Sequence, residues 1–326
     1  MSSSALNIIG AATSAGAYAP GQERAPAAFR RCGLTEALAR RGRTIKDHGD
    51  VVSFRWRPDP ARPKAMNLEA VRQACDSVAK KMAPVIAAQE CALVLGGDCT
   101  VELGTVAGAN AAGARVGLVY IDFDADLNTP ETSDGALDWT GVAHLLDLEG
   151  CEPSLASLGP VRPMLAPEQV LYFAVENITP PEAAAIGRHG IEIISREEAV
   201  GDIEAAAARA ADWAAHFDCV LIHFDVDVLS FVDFPIAENV RRCDGLKLEQ
   251  AAVALKRLTA LPQWRGLTIT EVNPDHAPDE AAAFGRLNEE SRKDKIGGRQ
   301  LAVLLLPQYT IKCLGLECIE GPEAHR

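Results

Sequence analysis

The hydrophobic positions of this chain fall into short apolar runs that are separated by longer amphipathic segments. The runs are rich in Val, Ile and Leu, which is typical of strands buried on both faces of a sheet. The seven predicted strands cover residues 5–10, 92–97, 116–121, 170–175, 191–195, 219–224 and 267–270.

Most of the intervening segments are long enough for helices. Segments 66–90, 202–217 and 245–260 carry apolar residues at spacings of three and four and are rich in Ala, Leu, Glu and Lys, which predicts amphipathic helices. Strands that alternate with helices predict crossovers on both faces of a mostly parallel sheet. In such an α/β fold, ligands bind at the carboxyl ends of the strands.

Acidic residues follow four of the predicted strands. These residues are Asp98 beside Cys99, then Asp122, Asp124 and Asp126, then Asp225 and Asp227, and finally Glu271. Carboxylates that are packed together repel one another and cannot all stay ionised without a cation. Five or six anionic ligands exceed the needs of one divalent ion, so the pattern favours two metal ions that share bridging carboxylates.

Two other motifs contain a similar spacing of aspartates. An EF-hand loop that began at Asp122 would need Gly in place of Leu127 and Glu in place of Ser133, and helices would flank it. Phosphatases of the haloacid dehalogenase type carry one such motif after a strand, whereas here two strands carry one, and Asp126 stands where Thr or Val belongs. Neither motif accounts for the pattern.

The four acidic strand ends resemble the ureohydrolases, a family that contains arginase, agmatinase and formiminoglutamase. The motifs GGDCT, DFDADLNTP, FDVDVL and EVNP occur in the order and spacing of that family. The resemblance implies a three-layer α/β/α fold around a parallel sheet of about eight strands. It also implies a trimer or hexamer that hydrolyses guanidino or formimino C–N bonds with two Mn2+ ions bridged by hydroxide.

The same resemblance implies a role for each aspartate of the cluster. Asp122 and Asp225 would bridge the two metal ions. Asp126 would bind one ion and hold the hydroxide, while Asp227 would bind the other ion.

The chain departs from the family at both histidine ligands. Cys99 replaces the histidine of GGDH, and Asp124 replaces the histidine of DxHxD. A carboxylate suits Mn2+, whereas a thiolate favours Zn2+, Fe2+ or Co2+, so Mn2+ leads but the metal identity stays open. With a cysteine in this position the chain resembles an arginase-like branch that acts on N-hydroxyarginine. The loop of that branch also reads NTPET.

The loop after Asp126 and the EVNP motif indicate the substrate class. In arginase-like members the Asn of the NTP turn contacts the α-carboxylate of the amino acid, which assigns this role to Asn128 unless the segment is only a turn. Glu271 matches the glutamate that binds the guanidinium group, a natural partner for a planar fork of donors. Asp134 would shape the substrate loop.

A proton donor for the leaving amine is needed as well. Alignment with the arginase loop, with a gap of one residue, places Asp138 where a histidine passes this proton. A helix N-cap is the alternative role for Asp138. We expect His144 to pack in a helix, and His223 to be either a partner behind the metal ligands or a buried polar residue.

Composition narrows the class of protein. The chain has 326 residues, 48% hydrophobic residues and a net charge of −13, so we expect one domain, 1–326, that binds neither nucleic acid nor an anionic membrane. The N-terminus lacks the pattern of a signal peptide, which predicts a cytoplasmic protein. The nine cysteines form no CxxC pair and are predicted to be free thiols, with Cys99 as the exception.

Three functions therefore stay open. The first is a binuclear metal hydrolase that acts on a small guanidino amino acid. The second is a hydrolase of the same fold with another amidine or formimino substrate. The third is a non-catalytic relative that has lost productive metal binding, which the loss of both histidines permits.

Overall fold

A parallel sheet forms the centre of the computed structural model, which describes residues 5–40, 43–239 and 242–276. Every pair of neighbouring strands in this sheet is parallel. In the described residues the eight strands are β1 Leu6–Thr13, β2 Ile45–Phe54, β3 Cys91–Leu95, β4 Val116–Ile121, β5 Val170–Val175, β6 Glu192–Ser195, β7 Cys219–Asp225 and β8 Trp264–Thr270. The predicted α/β fold with a sheet of about eight strands is confirmed.

The strand order brings the acidic strand ends together. The order across the sheet is β2-β1-β3-β8-β7-β4-β5-β6. The four strands that precede the acidic motifs are β3, β8, β7 and β4, which are neighbours in the middle of the sheet. Because the strands are parallel, their carboxyl ends open at one rim.

Helices cover both faces of the sheet. Helices α3 (Leu68–Ala87) and α4 (Val101–Ala111) pack on one face, and α9 (Ile203–Ala214) and α10 (Leu248–Thr259) pack on the other. Alternate residues of β3 enter the two cores, Leu93 on one side and Val94 on the other, as strand geometry requires. The helices are α1 Ala25–Arg31, α2 Leu34–Arg40, α3 Leu68–Ala87, α4 Val101–Ala111, α5 Gly141–Leu145, α6 Pro153–Ala156, α7 Pro180–His189, α8 Arg196–Gly201, α9 Ile203–Ala214 and α10 Leu248–Thr259.

The sequence pattern missed one strand, β2. This strand lies at the edge of the sheet and pairs only with β1 among the described strands. Its sequence IKDHGDVVSF is largely polar, and none of its residues is fully buried. An edge strand needs only one paired side and buries little apolar surface, so it lacks the hydrophobic run that marks the central strands.

Close packing at Gly97 shapes the rim. This residue follows β3, and a Cβ atom built on it would lie 1.5 Å from the carbonyl oxygen of Thr13. Only glycine allows β1 and the segment after β3 to approach so closely. The approach fixes the start of the segment that carries Cys99.

The described residues also bear on the cysteines and on the length of the helices. None of the seven cysteines among these residues forms a disulfide bond, in line with the prediction, and Cys313 and Cys318 lie outside the described residues. Within the described part of the chain, no helix combines the length and the apolar character needed to cross a bilayer. The predicted domain 1–326 extends beyond the described residues at both ends.

Candidate metal centre

Two of the acidic strand ends have the same local geometry. The backbone N–H of Asp124 donates to Oδ1 of Asp122 at 2.7 Å, and the N–H of Asp227 donates to Oδ1 of Asp225 at 2.7 Å. An aspartate that accepts from the N–H two residues later closes a tight turn without other support. One oxygen of Asp122 and one of Asp225 is thus held by the backbone, which leaves the other oxygen of each for a different partner.

One group of ligand atoms gathers around Cys99. Single atoms of Cys99, Asp122, His223 and Asp225 all lie within 4.8 Å of one another, and all four residues are buried. The Cys99 thiol donates to Asp225 Oδ2 at 2.9 Å, and its Sγ lies 3.3 Å from Thr270 Oγ1. Oδ2 of Asp122 has no hydrogen-bond partner.

A second group is formed by Asp122, Asp124 and Asp227, which also offer oxygens within 4.8 Å of one another. A positive charge already lies against this group. Arg242 Nη2 is 2.5 Å from Asp124 Oδ2, and Nη1 is 3.5 Å from Asp227 Oδ2. The guanidinium group also lies 4.4 Å from the centre of the Phe123 ring.

Two asparagines complete the contacts of the second group. The side-chain amide of Asn177 donates to Asp124, and that of Asn239 donates to Asp227. Oδ1 of Asp227 is nevertheless buried without a hydrogen-bond partner. A buried carboxylate oxygen of this kind normally pairs with a donor or a cation.

Asp138 joins Cys99 and Glu271 in a third group of atoms within 4.8 Å. Its Oδ1 accepts the backbone N–H of Cys99 at 2.6 Å. The helix-cap alternative is wrong, because no side chain caps the short 3-10 helix Asp138–Thr140 or helix α5. The contact with Cys99 draws Asp138 into the cleft instead.

Asp126 and Glu271 both have a left-handed backbone conformation, with φ values of 47° and 59°. Residues other than glycine rarely adopt such values. Those that do are concentrated at functional sites, where surrounding contacts hold the strained backbone in place. Tyr120 holds Asp126 by donating from its hydroxyl to Oδ2 at 2.6 Å. Gln22 donates to Glu271 Oε2 at 3.1 Å, while Oε1 of Glu271 has no hydrogen-bond partner.

The electrostatics of the rim favour a bound cation. Burial, and then the charge of Asp225, raise the pKa of Asp122 well above its ordinary value. Burial, and then Asp227, raise the pKa of Asp225 well above the ordinary value and that of Asp124 to about 6. Burial and Asp225 likewise raise the pKa of the Cys99 thiol.

These shifts mean that the protein alone cannot keep the cluster ionised at low cost. A divalent ion would offset the repulsion and supply partners for the free oxygens of Asp122 and Asp227. The residues present therefore fit one or more divalent ions, with the Cys99 and Asp124 groups as two adjoining places to hold them.

A narrow cleft opens onto both groups. It is lined by Tyr18, Cys99, Asp124, Asp126, Asp138, Trp139, Asp225, Asp227, Asn239 and Glu271. Asn128 and Asp134 do not line it. Asn128 is buried, with its amide oxygen 3.5 Å from the hydroxyl of Thr179. Asp134 is exposed and accepts the N–H of Ala136.

Several residues of the site were not singled out from the sequence. The sequence does not predict the contact of Arg242 with Asp124 and Asp227, because the segment around Arg242 has no periodic hydrophobic pattern. Tyr120 lies within an apolar run, which predicts a strand position but not the contact of its hydroxyl with Asp126. For His223 the sequence does carry a signal. The two-residue repeat of β7 places it on the same side of the strand as Asp225.

Comparisons with known proteins agree with this geometry. The family model described as the arginase family matches residues 4–287. Arginase-1 of Rattus norvegicus is 29% identical over 283 residues, which cover 82% of this chain and 84% of the relative. Arginase of Bacillus caldovelox is 28% identical over 273 residues, covering 82% of this chain and 91% of the relative.

A solved structure shows the same fold. The arginase of Entamoeba histolytica in complex with L-ornithine superposes with a TM-score of 0.81 at 18% identity, covering 97% of this chain and 99% of that chain. The family model spans most of the sequence, including all four acidic strand ends. The chain therefore belongs to the arginase family of ureohydrolases, which hydrolyse guanidino and amidino compounds.

Proposed function

We propose that this protein is a metal-dependent hydrolase that cleaves a C–N bond of a guanidino amino acid of the arginine or N-hydroxyarginine type. The observation that carries the proposal is the meeting of four strand ends in one cleft, with buried carboxylate oxygens on Asp122, Asp227 and Glu271 that lack hydrogen-bond partners. Membership of the arginase family supports the reaction class.

We propose two divalent ions as cofactors. Cys99, Asp122, Asp126 and Asp225 would hold one ion, and Asp122, Asp124, Asp225 and Asp227 would hold the other. Ions bound there would lower the pKa of water and so provide the nucleophile. Mn2+ is the first choice because the ligands are mostly carboxylates, and the Cys99 thiolate makes Co2+, Fe2+ or Zn2+ the alternatives.

Glu271 is proposed to bind the guanidinium group of the substrate. Its side chain lines the cleft and is 3% exposed, and its Oε1 atom is free while Oε2 is held by Gln22. A carboxylate fixed on one side and open on the other can accept hydrogen bonds from the planar guanidinium fork. The substrate carbon would then face the aspartates across the cleft.

Asp126 and Asp138 are proposed as the residues that handle protons. Burial, and then the charge of Asp138, raise the pKa of Asp126; burial, and then Asp98, raise that of Asp138. A carboxyl group with a raised pKa can act as a general acid near neutral pH. Asp138 lies beside Glu271, from where it can protonate the leaving amine, and Asp126 can orient the nucleophile and accept its proton.

Asn128 is proposed to bind the α-carboxylate of the substrate, and Asp134 to shape the loop around it. Both residues belong to the segment between β4 and α5, which forms one wall of the cleft through Asp126, Asp138 and Trp139. Neither side chain lines the cleft itself. The assignment therefore requires the loop to rearrange around the substrate.

One observation favours a second candidate function. Arg242 places a guanidinium group against Asp124 and Asp227, where the second ion would bind. If this arginine permanently replaced the second ion, the protein would lack a binuclear centre. The two alternatives would then apply: a hydrolase of another amidine or formimino substrate, or a relative without activity. A cytoplasmic location and assembly as a homo-oligomer stay predictions.

Metal analysis of the purified protein and of an Asp225→Asn variant tests the proposal. Asp225 is proposed to hold both ions, so the variant should lose bound metal and substrate turnover together. Asp218→Asn is the matched control, because Asp218 is exposed next to the opposite end of β7. If Asp225→Asn keeps two ions and full turnover, the proposed use of this cluster is wrong.

A further inference from the structure

His223 offers an imidazole nitrogen at the position from which the motif histidines have been lost. Its side chain is fully buried in β7, and the two-residue repeat of the strand directs it to the same side as Asp225. Its Nε2 atom lies 3.8 Å from Asp122 Oδ2 and 3.3 Å from Thr270 Oγ1.

The other ring nitrogen is bound to a carboxylate. Nδ1 of His223 lies 3.2 Å from Oε2 of Glu102 in α4. Glu102 is itself 1% exposed and accepts a hydrogen bond from the Thr105 hydroxyl. A proton on Nδ1 that is donated to Glu102 leaves the Nε2 lone pair directed at the cluster. Histidines that bind metal ions are held in this way by a carboxylate at their second nitrogen.

The orientation of the ring is fixed as well. The imidazole stacks on Tyr120 with the ring centres 4.1 Å apart and an angle of 4° between the planes. Tyr120 also donates to Asp126. The same aromatic side chain thus supports the His223 ring and one of the cluster's carboxylates, which leaves the imidazole little freedom to turn away from the site.

From this geometry we propose that His223 is a direct metal ligand, which replaces from β7 the imidazole that Cys99 displaced from the segment after β3. His223 would join Cys99, Asp122 and Asp225, whose ligand atoms lie within 4.8 Å of its own. Asp126 would complete the set, as in the proposed first ion site. This inference refines the first ion site of the proposed function and depends on that site binding metal. It does not depend on hydrolysis.

The ligand set has a consequence for metal choice. A mixed set of thiolate, imidazole and carboxylate suits Zn2+, Co2+ or Fe2+. Mn2+ prefers oxygen ligands. We therefore expect the first site to select Zn2+ or Co2+ over Mn2+, while the carboxylate group at Asp124 and Asp227 stays suited to Mn2+.

X-ray absorption spectroscopy of the full chain carrying one equivalent of Zn2+ tests the ligand set directly. The wild-type spectrum should show one sulfur at about 2.3 Å together with the multiple-scattering pattern of one imidazole. Cys99→Ser should lose the sulfur and keep the imidazole. His223→Gln should lose the imidazole and keep the sulfur. A wild-type spectrum with sulfur but without imidazole would overturn the inference.

Affinity measurements separate a ligand from a packing residue. His223→Gln should weaken binding of the first Zn2+ by roughly a hundredfold or more, since loss of a carboxylate partner behind a ligand already costs 10–100-fold. Glu102→Gln keeps a hydrogen-bonding partner for Nδ1 of His223, so it should weaken Zn2+ binding by the smaller factor of about 10–100.

The matched control is His144→Gln. His144 is also fully buried, but its ring nitrogens pair with Thr140 O at 2.7 Å and Glu152 N at 3.0 Å, away from the cluster. This variant should bind Zn2+ as the wild type does. Equal affinities in His223→Gln and His144→Gln would also refute the inference. The spectra and the Zn2+ affinities are measured without substrate. If the protein failed to hydrolyse guanidino compounds, the test of His223 as a ligand would still be valid.

Discussion

Arg242 provides the sharpest perturbation of the second ion site. Its guanidinium group contacts Asp124 and Asp227, and its side chain is 15% exposed. The two carboxylates hold the pKa of Arg242 above its usual value, so the arginine stays charged at all accessible pH values. Arg242→Met keeps the length and apolar stem of the side chain and removes only the charge and its donors.

The size of the effect follows from the burial of the pair. Removing one partner of a buried ion pair costs about 3–5 kcal/mol, and the partial exposure of Arg242 reduces this to roughly 2–4 kcal/mol. We expect this loss in urea unfolding at pH 8 with a chelator present. At that pH Asp124, whose pKa is about 6, is ionised in the folded protein.

A divalent ion should recover most of the loss. Binding at a concentration one hundred times the dissociation constant stabilises the folded state by about 2.7 kcal/mol. Because the ion no longer competes with the guanidinium group for Asp124 and Asp227, Mn2+ should stabilise Arg242→Met by more than it stabilises the wild type. The difference in unfolding free energy between the two proteins should therefore shrink when Mn2+ is added.

Two further variants control this experiment. Arg242→Lys keeps the positive charge and should respond to Mn2+ as the wild type does. Arg162→Met removes an arginine that pairs with Asp147 at the surface, away from the cleft, and should leave the response to Mn2+ unchanged. Identical stabilisation of wild type and Arg242→Met by Mn2+ would refute the competition between arginine and metal.

Three other predictions follow from the site and its surroundings. Cys99→His should shift the order of metal affinities towards Mn2+, measured by titration calorimetry; an unchanged order would mean that the thiol does not bind metal. Asp138→Asn should lower turnover by roughly a hundredfold or more with unchanged metal content, the scale of a lost general acid; nearly intact turnover would assign the proton to another group. The pKa of His144 is lowered to about 4 because burial disfavours its charged form. The unfolded chain therefore takes up a proton below pH 6.5 before the folded protein does, and stability should fall by up to about 3 kcal/mol between pH 6.5 and 4. Urea unfolding should show this His144-dependent slope in the wild type, and His144→Gln should lack it.

The acidic strand ends were predictable because their signal is local. An apolar run followed by aspartates identifies both the strand and the rim to which it points, and Asp122 and Asp225 lie where this pattern places them. The edge strand β2 was not predictable in the same way, because its polar sequence buries little surface.

Contacts between distant segments were beyond the sequence pattern. Glu102 and His223 are 121 residues apart and meet only because α4 packs against the centre of the sheet. Arg242 reaches Asp124 from a segment without helical or strand periodicity. The sequence offers two roles for Asp138. The contact with Cys99 N, which arises from the tertiary fold, argues against the helix cap, and the role in proton transfer stays a proposal.

Detection of the released product tests the central claim most directly. The chelated protein, the protein reconstituted with Mn2+, Co2+ or Zn2+, and Asp225→Asn would each be incubated with L-arginine, N-hydroxyarginine and a small set of formimino compounds. Release of urea or hydroxyurea by the reconstituted wild type alone is the predicted result. A protein that binds its metal ions at Asp122 and Asp225 yet releases no product from any guanidino amino acid would contradict the proposed function.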